Sequence, residues 1–262
     1  MKDVVRSFDG IPIVFDDHGS AAPSIVLVHG WSCDRSYWRA QAPLAERHRV
    51  VAIDLAGHGE SGGGRSSWTM PAFGEDVAAV VRGLGLDDVV LVGHSMGGDV
   101  ILEAALLLEG DVRGLVWVDT YPSLGKPSTS EEIAAFVAPF EADFVHRTDA
   151  FVRTMFPATA DPGLVDEIAA DMAAAPPDVA VDALRHSFAN ERPALEALAR
   201  LGLPLVSISP ESPDIDVHSF RRHRIRTVVV GGVGHFAMLE DPSQFNAVLE
   251  DVIASFPLKS TS

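Results

Sequence analysis

The chain has 262 residues, 47% of them hydrophobic and 22% charged, which is enough for one large α/β domain carrying an inserted subdomain. Its net charge of −17 argues against nucleic acid or an anionic membrane as a partner, since both need a basic surface. A single cysteine, Cys33, excludes an intrachain disulfide and fits a reducing cytoplasm. Residues 1–6 lack the apolar segment of a signal peptide, so a cytoplasmic location is expected. No stretch reaches the roughly 18 uncharged residues of a membrane-spanning helix, because Glu103 and Glu109 interrupt the apolar run through Leu106.

Residues 4–8 and 11–15 flank Asp9-Gly10, a hairpin signal in which Gly10 can take a positive φ. Residues 24–28 are almost wholly apolar, as expected of a strand buried on both faces in a parallel sheet, and they run into His29-Gly30-Trp31. A helical stretch is predicted over 35–46. The next buried strand, 50–53, ends in Asp54-Leu55-Ala56-Gly57-His58-Gly59-Glu60-Ser61. Pro71 suits a helix start. Phe73, Val77, Val80, Val81 and Leu84 then form an apolar face at helical spacing.

Strand 89–92 stops at Gly93, and the chain continues His94-Ser95-Met96-Gly97-Gly98 into a helix-like run over 100–108. Strand, tight turn and helix with a lone serine at the apex is the context that a G-x-S-x-G nucleophile elbow requires. Gly93 and Gly97 let strand and helix approach, and the free N–H groups at the helix start favour negative charge over Ser95. Residues 114–118 form another buried strand ending at Asp119-Thr120. Alternation of strands and helices with short connections indicates a doubly wound, mostly parallel sheet.

From 122 to 189 strand-like runs give way to four helical patterns, over 131–140, 144–155, 162–174 and 177–188, punctuated by prolines. This segment reads as a helical cap inserted after the sixth strand, with residues 1–121 and 190–262 forming the core. A helix over 192–199, strands over 203–208 and 225–230 and a helix over 242–255 complete the core. The tail after Pro257 is expected to fray.

The order of these features resembles the α/β-hydrolase superfamily along nearly the whole chain. Four landmarks carry the resemblance: His29-Gly30-Trp31, Asp54-x-x-Gly57-x-Gly59-x-Ser61, Gly93-His94-Ser95-Met96-Gly97-Gly98, and Gly234-His235-Phe236 after the last strand. It implies the α/β-hydrolase fold, an eight-stranded sheet with an inserted helical cap. It also implies that His235 is the base that activates Ser95. Backbone N–H groups of Met96 and Trp31 would form the oxyanion hole, with the Trp31 indole as a substrate-binding wall. His29 and His58 then belong to structural turns, and His94 packs or hydrogen-bonds beside the nucleophile.

The acid that orients His235 has more than one candidate. The commoner superfamily position follows the seventh strand, where this chain reads Pro210-Glu211-Ser212-Pro213-Asp214-Ile215-Asp216 and lacks the usual glycine. Asp119, directly after the sixth strand, resembles the arrangement in haloalkane dehalogenases and some serine hydrolases of the superfamily. Asp119 is favoured, with Asp214, Asp216 and Glu211 left open. Phe136, Phe140, Phe144, Phe151, Met155 and Phe156 could line a pocket or merely join cap to core. No clustered Cys/His spacing suggests a metal, and no cofactor is expected.

The resulting expectation is a serine hydrolase that cleaves small, mainly apolar carboxylic esters through Ser95, His235 and Asp119. Lactone, amide or carbon–carbon bond hydrolysis and cofactor-free perhydrolysis use the same apparatus. From another class, a ligand receptor on a hydrolase scaffold stays open, as does the oligomeric state.

Overall fold

The computed structural model describes residues 2–108 and 110–258, so the expected fraying of the extreme tail, 259–262, lies outside the described residues. The chain opens with a hairpin of β1 (Lys2–Arg6) and β2 (Pro12–His18). Its turn is wider than the sequence suggests. Ser7 N–H donates to the Ile11 carbonyl and Gly10 N–H to that of Ser7, with Gly10 at φ +83°. Phe8 therefore leaves the strand and sits in the turn, where the Arg65 guanidinium lies over its ring.

The remaining strands are β3 (Ser24–Val28), β4 (Arg49–Ile53), β5 (Val89–His94), β6 (Val112–Val118), β7 (Leu205–Pro210) and β8 (Arg226–Val230). They form one eight-stranded sheet in the order β1-β2-β4-β3-β5-β6-β7-β8. The pairings of β1 with β2 and of β2 with β4 are antiparallel, and the other five are parallel. Every residue of β3 and β5 is buried, which is why these strands are continuous apolar runs. The parallel register brings Val28 beside Gly93 and Gly93 beside Trp117, so the ends of β3, β5 and β6 finish together at one edge of the sheet.

Two helices pack side by side on one face, α1 (Met70–Gly83) and α2 (Met96–Leu107). The Thr69 hydroxyl caps α1, and Phe73, Val77, Val80 and Val81 are wholly buried. Gly74 allows the close crossing, since a Cβ there would lie 2.6 Å from that of Glu103. The segment Arg35–Glu46, predicted as a helix, is a run of 3-10 turns. Pro43 has no N–H, and its ring would collide with the carbonyl four residues back in α geometry.

After β6 the insert contributes four helices: α3 (Ser130–Ala142), α4 (Phe144–Arg153), α5 (Pro162–Ala173) and α6 (Pro177–Phe188). Their boundaries are written locally. Thr129 and Glu132 make a reciprocal capping box, Asp143 and Asp161 cap α4 and α5, and prolines open α5 and α6. Directional bonds tie this helical insert to the core. Trp31 Nε1 donates to the Ala180 carbonyl at 2.6 Å, Tyr37 donates to Asp171 at 2.7 Å, and the Trp68 N–H donates to Asp182 at 2.7 Å.

Helix α7 (Glu191–Leu201) leads to β7. Two short helices, α8 (Val217–Arg222) and α9 (Ala237–Glu240), precede the final α10 (Pro242–Ser255). Neither α8 nor α9 was expected, because four to six residues are too few to show a helical apolar period.

Candidate active site

Ser95 stands between β5 and α2 with φ +51° and ψ −120°, a conformation that a non-glycine residue rarely adopts. Its N–H donates to the Val118 carbonyl at 2.9 Å, which ties the turn to β6. The glycines around it answer to space. A Cβ on Gly93 would fall 2.2 Å from the Gly97 carbonyl oxygen, and one on Gly97 would fall 2.6 Å from the carbonyl oxygens of Val28 and His29. Gly98 carries the same constraint, 2.0 Å from Thr120 Oγ1, although sequence reasoning had assigned the tight approach only to Gly93 and Gly97.

Asp119, the first residue beyond β6, also has a positive φ, +48°. Its N–H donates to the Ile208 carbonyl, so β7 anchors the turn from the other side. The carboxylate Oδ2 lies 2.6 Å from His235 Nδ1. That partner holds the proton on Nδ1 and leaves Nε2 with its lone pair.

The His235 loop is held on three sides. His235 N–H donates to the Met155 carbonyl in the insert at 3.0 Å, and His94 Nε2 donates to the His235 carbonyl at 2.9 Å. Glu240 reaches back from α9, with Oε2 accepting Gly234 N–H at 2.9 Å and Oε1 accepting Phe236 N–H at 3.0 Å. One carboxylate thus grips the residues on either side of His235. Sequence reasoning gave Glu240 no role, because a one-turn helix leaves no pattern that points back to its own start.

Burial, then the neighbouring His235, push the His94 imidazole well below its usual range and keep it neutral. Burial likewise raises the Glu240 carboxyl. His29 and His58 sit in their turns as buried, neutral groups, pushed down chiefly by burial to about 4 and about 3. His29 accepts the Leu55 N–H on Nε2.

The other acid candidates lie elsewhere. Asp216 caps α8, accepting the N–H groups of His218 and Ser219. Glu211 and Asp214 line the rim of the cavity above Ser95, and no hydrogen bond among the described residues joins either to His235.

The cavity measures about 590 Å³, and Ser95, Met96, Trp31, Asp119 and His235 all line it. The aromatic candidates divide. Phe151, Met155 and Phe156 reach the cavity, while Phe140 is wholly buried and Phe136 packs against Phe140, Phe151 and Phe188. Trp31 meets Phe140, Phe144 and Phe151 edge-on, so its indole is both cavity wall and anchor for the insert. Met96 opens α2, where an N–H has no intrahelical acceptor. Cys33 is buried, and burial pushes its thiol up, away from nucleophilic chemistry. No group of three or more His, Cys, Asp or Glu among the described residues could hold a metal ion, and no described helix is long and apolar enough to cross a membrane.

A second polar cluster adjoins the cavity. Asp99 on α2 is buried and accepts hydrogen bonds from Tyr121 at 2.5 Å, Asn190 at 3.0 Å and Ser187 at 3.4 Å. Tyr121 lies where the chain leaves the sheet for the insert, Asn190 where it returns, and Ser187 lines the cavity. Burial outweighs these bonds and pushes the carboxyl up to about 7. Sequence reasoning missed this cluster, since its members lie 22 to 91 residues from Asp99 in sequence.

A doubly wound sheet with a serine elbow, a histidine after the last strand and a helical insert defines the class. Residues 25–248 match the alpha/beta hydrolase family, and the chain belongs to it. Among curated relatives, a non-heme haloperoxidase of Rhodococcus erythropolis is 44% identical over 96 residues, which is 36% of this chain and 35% of that protein. A bifunctional esterase/perhydrolase of Acinetobacter calcoaceticus is 43% identical over 97 residues, again 36% and 35%. The alignments thus span about a third of these relatives' length. Among solved structures, a thermophilic esterase from Thermogutta terrifontis superimposes with TM-score 0.82 at 24% identity over 97% of this chain and 98% of that one. An esterase from Rhodococcus sp. ECU1013 gives 0.76 at 26% identity over 98% and 99%.

Proposed function

We propose that the chain is a serine hydrolase of small, mainly apolar carboxylic esters, with Ser95 as nucleophile, His235 as base and Asp119 as the acid that orients it. The observation that carries this reading is the 2.6 Å bond between Asp119 and His235 Nδ1 at the wall of the cavity that Ser95 also lines. In the reaction, Nε2 of His235 takes the proton of Ser95 as Oγ attacks the carbonyl carbon. The Met96 and Trp31 N–H groups receive the developing oxyanion. His235 then passes the proton to the departing alkoxide, leaving an acyl-enzyme. Water attacks in turn, giving one proton to His235 and then back to Ser95, and the carboxylic acid leaves.

The segment 122–189 acts as the cap that shapes the pocket. Its contribution of Phe151, Met155, Phe156, Met172 and Leu184 supports the apolar preference. The relatives that are an esterase/perhydrolase and a non-heme haloperoxidase favour a second reading. In it, hydrogen peroxide replaces water in the second half-reaction and releases a peroxy acid.

A fluorophosphonate probe and p-nitrophenyl butyrate test the proposal. Ser95 acquires the label, the ester is turned over, and Ser95→Ala abolishes both. Absence of labelling together with absence of turnover overturns it. Asp119→Asn costs at least about a thousandfold more in kcat than Asp214→Asn, since only the former leaves the histidine free to take the wrong tautomer. Equal losses overturn the assignment of the acid.

A further inference from the structure

We propose that the catalytic cavity selects esters by charge, taking neutral and ammonium-bearing substrates and rejecting those with a carboxylate, and that Glu211 and Asp214 enforce the choice. This rests on the hydrolase reading above and extends it to the substrate class.

The cavity is asymmetric. The insert supplies an apolar wall that includes Phe151, Met155, Phe156 and Leu184. The loop after β7 supplies a second, polar part of the wall, with Glu211, Ser212 and Asp214. The Glu211 N–H is tied to the Val230 carbonyl at 2.9 Å, and the Asp214 N–H to Ser212 Oγ at 3.2 Å, so the backbone at both carboxylates is held. Among the described residues neither side chain has an ion-pair partner, and no lysine or arginine lines the cavity. Asp119 is already committed to His235.

Carboxylates are negative at neutral pH. A ligand entering the cavity therefore meets two uncompensated charges within a protein of net charge −17. A carboxylate on its polar arm would be repelled, with nothing to pair it. A protonated amine there would be attracted by both groups while its apolar arm lies against the insert. The carboxylates are exposed to solvent, so the discrimination is moderate and screened by salt.

Three p-nitrophenyl esters of matched length test this: those of heptanoate, 6-aminohexanoate and adipate, which end in a methyl, an ammonium and a carboxylate. At low ionic strength kcat/KM for the ammonium ester exceeds that for the carboxylate ester by about tenfold, the size that one or two exposed charge pairs yield in water-like surroundings. The ratio shrinks toward unity in 0.5 M salt, roughly, as the Debye length falls. In the double variant Glu211→Gln, Asp214→Asn it drops to within about twofold at low salt. Turnover of the heptanoate ester with a ratio near one in the native protein overturns charge selection and leaves the hydrolase reading standing. So does a tenfold ratio that survives in the double variant. Failure to turn over any of the three overturns the hydrolase reading and this one with it.

Discussion

Replacing Asp99 by Asn should make the protein more stable above neutral pH and remove a slope from its stability–pH curve. Asp99 lies at the junction of α2 with both ends of the helical insert. Burial raises its carboxyl from 3.8 to about 7 against the pull of three hydrogen bonds, and Glu103 on the same helix adds a smaller push. A folded-state value above the unfolded one means that the native protein binds the proton more tightly. The stabilisation is complete below about pH 3.8 and is lost as pH rises through about 7. Such a rise corresponds to about 4 kcal/mol over the whole range, and to about 3 kcal/mol between roughly pH 5 and 8.5. That is a sizeable part of a typical domain's stability.

Asparagine fits the site. Oδ1 keeps the bonds from Tyr121 and Asn190, and the amide that replaces Oδ2 can donate to Ser187. The other carboxylates that burial raises, Asp54, Asp76, Glu103, Asp171 and Glu240, are common to both proteins and cancel to first order in the difference. Urea unfolding of the native and Asp99→Asn proteins across this pH range measures it. The difference in unfolding free energy should grow by about 3 kcal/mol in favour of the variant. A difference that stays constant within about 0.5 kcal/mol would falsify the claim that Asp99 carries a perturbed proton.

Glu240→Gln should lower kcat by about ten- to a hundredfold with little change in KM, because a glutamine offers only one acceptor to the two N–H groups that frame His235 and lets the imidazole drift. Steady-state kinetics with p-nitrophenyl butyrate reads this, and an unchanged kcat counts against the clamp. Trp31→Phe keeps the edge-on aromatic contacts but removes the indole bond to the Ala180 carbonyl, which keeps its place in the hydrogen-bond ladder of α6. Thermal unfolding should show a loss of about 1 kcal/mol, and an unchanged melting temperature would count against this bond as an anchor of the insert. Gly93→Ala drives a Cβ to 2.2 Å from a backbone oxygen of α2. It should cost at least about 3 kcal/mol or prevent soluble expression, and a variant of native melting temperature would contradict the close packing of the elbow.

Much of this architecture was legible before any coordinates. Buried parallel strands must be apolar on both faces, so β3, β5 and β6 announce themselves as short uninterrupted runs. The helices of the insert were legible as runs punctuated by prolines, and Pro162 and Pro177 do open α5 and α6. The elbow is legible because its glycines are required by contacts within one strand–turn–helix unit. Local rules placed a helical stretch over Arg35–Glu46 without its 3-10 geometry, which Pro43 favours, and gave no sign of α8 and α9.

What required the folded chain is every relation between distant residues. Four carboxylates after two strands were candidates for the partner of His235, with Asp119 favoured although it lies more than a hundred residues away in sequence. Strand order and the left-handed turn at Asp119 bring one of them to 2.6 Å from His235, while Asp216 caps a helix and Glu211 and Asp214 face the cavity mouth. The burial of Asp99 depends on the same tertiary placement, whereas the grip of Glu240 is made within six residues by a helix too short to leave a pattern. Amino-acid type determines which chemistry a residue can perform, and hydrophobic period determines the element that carries it. Which acid meets which base, and how far a carboxyl is removed from water, are set by the packing of separate elements, and no local stretch of sequence encodes that.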